Sequence, residues 1–123
     1  LVSFELRDLK SIARCEVEAA VGRLGGDVEL YKELVQCFLD DTSSLLPKLR
    51  QAIDRRDSEG LHRAGHSLKG LAASCGAQGV AEAAGRLERV GREKQLEELE
   101  PAWMALQRAL EATRHELANY FPG

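Results

Sequence analysis

The chain is poor in proline and in the β-branched and aromatic residues that build sheets. Proline occurs only at Pro47, Pro101 and Pro122, and runs of alternating β-branched residues are missing. That combination argues against a β-sandwich or barrel and for helix and turn throughout. Cysteine occurs three times, at Cys15, Cys37 and Cys75, widely spaced and never as a C-x-x-C pair. An odd, scattered set does not make a disulfide framework and fits a reducing compartment. Each cysteine has apolar sequence neighbours, where a free thiol usually serves as a small core residue. No basic stretch is long enough for a nucleic-acid footprint, and the net charge is −3 with both signs interleaved. No apolar run is long enough to span a bilayer, and no signal-peptide pattern opens the chain. Gly22, Gly25 and Gly26 lack the spacing and the following Lys-Ser/Thr of a phosphate-binding loop.

What remains is a chain of 123 residues rich in Ala, Leu, Glu, Arg and Gln, enough for one domain with one core. It begins Leu1-Val2-Ser3 without Met, which reads as a fragment of a longer protein. Leu96, Leu99, Trp103, Leu106, Leu110, Thr113 and Leu117 recur at spacings of three and four. They form one apolar stripe on a long helix over 94–118, with Pro101 placing its start nearer Glu98 or bending it. Val80, Ala83, Ala84, Leu87 and Val90 mark a helix over 77–91 that stops near Gly91. Leu61, Ala64, Leu68, Leu71, Ala72 and Cys75 mark another, capped by Asp57 or Ser58 and stopped at Gly76. A fourth starts at Asp27 and runs through Leu30, Leu34, Val35, Phe38 and Leu39 toward Ile53, with a kink or break expected at 42–46 because of Pro47. Residues 12–24 read as one short amphipathic helix, turned by Gly25-Gly26. The expected fold is all-α: an antiparallel up-down-up-down four-helix bundle with a short additional N-terminal helix.

One helix face carries chemistry. At about 100° per residue, His66 lies about 160° around from the core position Leu68 and so points outward. His62, Lys69, Gly70 and Ala73 share its stripe. An exposed neutral imidazole is a nucleophile near neutral pH. An ammonium one turn away can stabilise negative charge on a phosphoryl group attached to it. Glycine inside a helix costs up to about 1 kcal/mol relative to Ala, so Gly70 implies a steric reason, either access for a partner or close helix packing. Two other readings stay open on spacing alone. His62 and His66 stand four residues apart, as zinc ligands can, but Arg63-Ala64-Gly65 lies between them without the glutamate of a helical zinc protease, so no metal site is expected. A bundle that only binds other helices would equally satisfy the periodicity. Trp103 reads as core, Arg55-Arg56 as a helix end and His115 as solvated.

The segment His66-Ser67-Leu68-Lys69-Gly70, with Ala72-Ala73-Ser74-Cys75-Gly76-Ala77 and then Leu87-Glu88, resembles the signature of histidine phosphotransfer domains. Leu24-Gly25-Gly26-Asp27 and Phe38-Leu39-Asp40-Asp41 resemble it too, so the likeness covers roughly residues 12–117 in order. It departs at Gly65, where Ala is more usual and the helix is expected to loosen, and at Cys75, where a larger apolar residue is usual. The resemblance implies a four-helix bundle in which His66 is the phosphoacceptor, Lys69 holds phosphoryl charge and Gly70 admits a receiver domain. His62 and Ala73 would line the docking surface, with apolar residues of the first helix and of the helix that Asp27 begins. The division that follows is a leader over 1–11, the phosphotransfer domain over 12–118 and a tail over 119–123. The implied function is a phosphorelay intermediate without catalytic activity of its own, passing a phosphoryl group between aspartate-bearing receivers. The chain would be the C-terminal module of a hybrid sensor kinase. It would work in the cytoplasm, or as the cytoplasmic part of a membrane-bound kinase. No cofactor is expected on this chain, and Mg²⁺ is expected on the receiver. A chemotaxis-kinase-type phosphoacceptor, charged by an ATP-binding kinase domain, is the related alternative.

Overall fold

The computed structural model describes residues 6–120, with side chains from Leu9 onward. Four long helices form the bundle: α3 (Val28–Arg55), α4 (Ser58–Ser74), α5 (Gln78–Glu93) and α6 (Leu99–Tyr120). Two short helices precede them, α1 (Leu6–Ala13) and α2 (Val17–Arg23). The single N-terminal helix expected over 12–24 is therefore two. The chain breaks between them at Arg14, whose φ is +43°, and Cys15 bridges to Ala77 in a single antiparallel contact. Glu16 N–H donates to the Gly76 carbonyl at 2.8 Å and Gln78 N–H to that of Arg14 at 3.2 Å, so this break is tied to the α4–α5 turn. Ile12 belongs to α1, which packs on α6 and on the start of α5. Part of the stretch expected as a leader is thus helical, and α6 runs two residues beyond 118; residues 1–5 and 121–123 of the expected leader and tail lie outside the described residues.

The caps follow from side-chain chemistry. Asp27 accepts from Leu30 N–H and Asp57 from Gly60 N–H, each at 3.0 Å, satisfying donors that the first turns of α3 and α4 leave open. Gly76 ends α4 at φ +75°, a conformation a side chain would strain, and a Cβ there would also strike the Glu16 carbonyl at 2.6 Å.

Pro47 does not break α3, which is continuous through it. Pro47 and Ser43, the residue whose carbonyl loses its partner, both face solvent, so water can satisfy that carbonyl. Phe38, Thr42, Leu49, Ala52 and Ile53 are buried on either side of the proline and hold both halves of the helix to the core. Pro101 sits in the first turn of α6 after a 3₁₀ turn over Leu96–Glu98, where no intrahelical N–H is needed.

Tyr31, Phe38, Leu49, Leu61, Leu68, Leu87, Leu106 and Leu110 are fully buried among the helices. The Tyr31 hydroxyl donates to the Cys75 carbonyl at 2.7 Å and fastens α3 to the end of α4. Trp103 is only half-buried and carries the Arg50 guanidinium over its ring at 5.5 Å. Of the cysteines, only Cys75 is a core residue. Burial pushes its thiol up to about 11, Cys15 is half-buried, and Cys37 is exposed, contrary to the expectation from its neighbours. His115 is half-buried rather than fully solvated, with Asn119 Nδ2 3.2 Å from its Nε2. Among the described residues no helix is long and apolar enough to cross a membrane.

Candidate functional site

The site lies where α4 and α5 run antiparallel and very close. Close approach needs small residues, and the sequence supplies glycine at three levels of the contact. A Cβ on Gly91 would stand 2.8 Å from Leu61 Cβ. One on Gly65 would meet Ala84 O and Glu88 N at 3.1 Å, and one on Gly85 would meet Lys69 Cδ at 3.3 Å. Gly65, expected to loosen the helix, instead brings the α5 backbone up to α4 at the level of His66. The register that results sets Glu88 beside His66, and Lys69 across Gly85.

His66 projects outward as its spacing from Leu68 requires, with 69% of its side chain exposed. Its Nδ1 is 3.0 Å from Glu88 Oε2. Lys69 Nζ donates to Glu88 Oε1 at 2.7 Å. Glu88 is only 8% exposed, a carboxylate on the buried stripe of α5 beside Ala84, Leu87 and Gly91. The Lys69 ammonium, and after it the hydrogen bond to His66, hold its carboxyl below the usual glutamate range despite burial. Glu88 is therefore ionised near neutral pH and can only accept, so His66 donates Nδ1–H to Oε2. That fixes the tautomer: the proton stays on Nδ1, and the lone pair of Nε2 faces solvent. An oriented imidazole with a free outer nitrogen is a nucleophile.

The other expected site residues fall as follows. His62 shares the face, 44% exposed, its ring stacked on His66 with centroids 6.2 Å apart. Its Nδ1 is buried and has no hydrogen-bond partner, although Glu88 Oε2 is 3.6 Å away. Gly70 is exposed, and a Cβ there would meet nothing within 4 Å, so the glycine relieves no contact inside the chain. Ala73 is exposed on the same stripe, and its carbonyl accepts from Arg23 of α2 at 3.3 Å. Among the described residues no group of three or more His, Cys, Asp or Glu is arranged to hold a metal ion. The Lys69 ammonium is paired with Glu88 on α5 rather than standing alone beside the imidazole.

Glu88 is the partner of His66 and Lys69 that the spacing on α4 does not reveal. Its signal was present: a carboxylate four residues from Ala84 and three before Gly91 sits inside an apolar stripe. Charged residues there are rarely buried without a partner.

Among curated proteins and among solved structures, none matches this chain. A family model described as "Hpt domain" matches residues 33–116, which takes in most of α3, all of α4 and α5, and most of α6, with His66, Lys69 and Glu88 inside the match. The helical bundle, the outward histidine and that match agree, and the chain belongs to the Hpt domain family, whose members carry phosphoryl groups on histidine in phosphorelays.

Proposed function

We propose that His66 accepts a phosphoryl group on Nε2 from the aspartyl phosphate of a receiver domain and passes it to the aspartate of a second receiver. The observation that supports this is the exposed imidazole whose Nδ1 is held by a buried carboxylate at 3.0 Å. In the forward step the Nε2 lone pair forms the N–P bond while the P–O bond to the aspartate breaks and the carboxylate leaves. The ring keeps its Nδ1 proton, and the positive charge it gains is stabilised by Glu88. Phosphoryl transfer asks mainly for alignment and charge neutralisation. This chain supplies an aligned nucleophile, the counter-charge of Glu88 and the ammonium of Lys69. The receiver supplies the aspartate and Mg²⁺. Gly70 and Ala73 leave the stripe beyond His66 low, so a receiver's active-site loops can reach Nε2. His62 and the exposed apolar residues Val28 and Leu30 at the start of α3 extend the docking face. We place the domain at the C-terminal end of a hybrid sensor kinase, in the cytoplasm.

The experiment is phosphoryl transfer from several phosphorylated receivers to the wild-type chain and to His66→Gln, with an ATP-charged kinase as a separate donor. Label on the wild type alone, stable to alkali and labile to acid, supports the reading. Label from the kinase but from no receiver would make the chain a chemotaxis-type phosphoacceptor. Label on neither protein from any donor would leave a bundle that binds partners without chemistry.

A further inference from the structure

The cluster around Glu88 holds more donors than its resting state uses. Oε1 takes Lys69 and Oε2 takes His66, while the buried Nδ1 of His62 faces the same Oε2 from 3.6 Å and bonds to nothing. A buried polar nitrogen left unpaired is costly, and one turned toward an ionised carboxylate marks a bond that another state of the site can make.

The charge balance says which state. At rest the ammonium of Lys69 cancels the carboxylate of Glu88, and both imidazoles count as neutral. When Nε2 of His66 takes a phosphoryl group, its oxygens bring about two negative charges and the ring, keeping Nδ1–H, gains one positive charge. One negative charge is then uncompensated. Lys69 is also wanted in two places, at Glu88 and at the phosphoryl oxygens. The groups around His62 are Ser58 and Glu59 one turn before it on α4, His66 one turn after it, and Glu88 and Arg92 on α5. Arg92 and the Lys69 ammonium on the same carboxylate oppose a proton on His62, as does the positive charge that the His66 ring gains, while Glu59 and Glu88 favour it. A phosphoryl group on the stacked neighbouring ring adds to the favourable side.

We propose that His62 is a positioning residue for phosphotransfer: phosphorylation of His66 is coupled to uptake of one proton from solvent by His62. The imidazolium of His62 closes onto Glu88 and thereby frees Lys69 for the phosphoryl oxygens. Closing the 3.6 Å gap to an ordinary charge-assisted bond takes a movement of somewhat under 1 Å, within the reach of a side chain that is half exposed. The inference rests on His66 being the phosphoacceptor, and its test separates the two claims.

The full chain is treated with phosphoramidate, which needs no partner protein, and the imidazole ¹⁵N resonances of His62 are followed from about pH 5.5 to 8.5 with and without phosphate on His66. The expected result is a His62 titration displaced upward by about one pH unit in the phosphorylated protein. A second measurement is the hydrolysis rate of phosphohistidine in His62→Gln, which should be about three- to tenfold faster than wild type near pH 6. The ratio of the two rates should fall toward one at the alkaline end, where His62 carries no proton. Circular dichroism checks the fold of the variant, and the resonance titration does not depend on it. Identical His62 titrations in the two forms, or a rate ratio that is flat with pH, overturn the proposal while phosphate on His66 still stands. If phosphoramidate places nothing on His66, the phosphoacceptor reading falls and this inference falls with it.

Discussion

Replacing Glu88 separates its two roles, as the counter-charge of the cluster and as the anchor of the His66 ring. Glu88→Gln keeps an amide oxygen that can accept Nδ1–H but removes the charge; Glu88→Ala removes both. A hydrogen bond to a charged group contributes about 1.5–3 kcal/mol when well buried. Lys69 is 42% exposed and His66 69%, so water replaces much of what each loses, and the pair together is worth about 1–2 kcal/mol of stability. The sign of the pH dependence follows from the direction of the shift. The folded carboxyl lies below its ordinary value of 4.5, so the unfolded chain binds more protons in that window. The stabilisation is complete above the ordinary value and is lost as pH falls through the folded one. Wild type and Glu88→Gln should therefore differ in urea midpoint at pH 7, and the difference should shrink as pH falls below 4.5. Catalytically, the lost charge bears on the ring cation that forms during transfer, so Glu88→Gln should slow phosphorylation about tenfold to a hundredfold. Glu88→Ala, which also frees the ring to rotate and change tautomer, should be slower still. Stopped-flow or quench measurements from a phosphorylated receiver give the rates. Wild-type rates in both variants would refute the role assigned to Glu88.

Three further outcomes follow from the geometry. Gly65→Ala puts a methyl against Ala84 O and Glu88 N at 3.1 Å; overpacking of about 1–3 kcal/mol outweighs a helix-propensity gain of at most about 1 kcal/mol, so the melting temperature should fall and transfer should slow as Glu88 is displaced. An unchanged melt would mean that α5 yields freely at this contact. Lys69→Ala should shorten phosphohistidine lifetime and slow transfer without ending it, and unchanged kinetics would remove Lys69 from the mechanism. Leu106→Ala, at a fully buried position on α6, should cost about 2–5 kcal/mol in chemical denaturation, and a neutral result would contradict the packing of that helix.

Local rules carried the reading from sequence where one segment decides its own structure. Asp27 and Asp57 cap the helices they precede, Gly76 turns where a left-handed residue is needed, and His66 faces outward because Leu68 faces inward. The placement of two segments against each other is not legible in either one alone. Nothing in the spacing of α4 says which α5 residue lies opposite His66. That register depends on Gly65, Gly85 and Gly91 fitting against specific neighbours across the contact, and it brings up Glu88 from twenty-two positions away. The same gap hides the pairing of Lys69, which reaches across to Glu88 on the next helix. At Pro47 a local rule allowed a kink or a break, and the break does not occur: burial of Phe38 and Leu49 on either side holds the helix together. The split between α1 and α2 at Arg14 is likewise set by tertiary bonds to Gly76 and Gln78 rather than by a breaker in the segment.

The central claim is that the outer nitrogen of His66 bonds to phosphorus while Glu88 holds the inner one. A ¹⁵N–³¹P correlation spectrum of the phosphorylated chain, labelled in histidine, tests it directly. The account predicts one phosphorus coupled to Nε2 of His66, a proton retained on Nδ1, and no signal in His66→Gln. Coupling at Nδ1, at His62 or at His115 would contradict it.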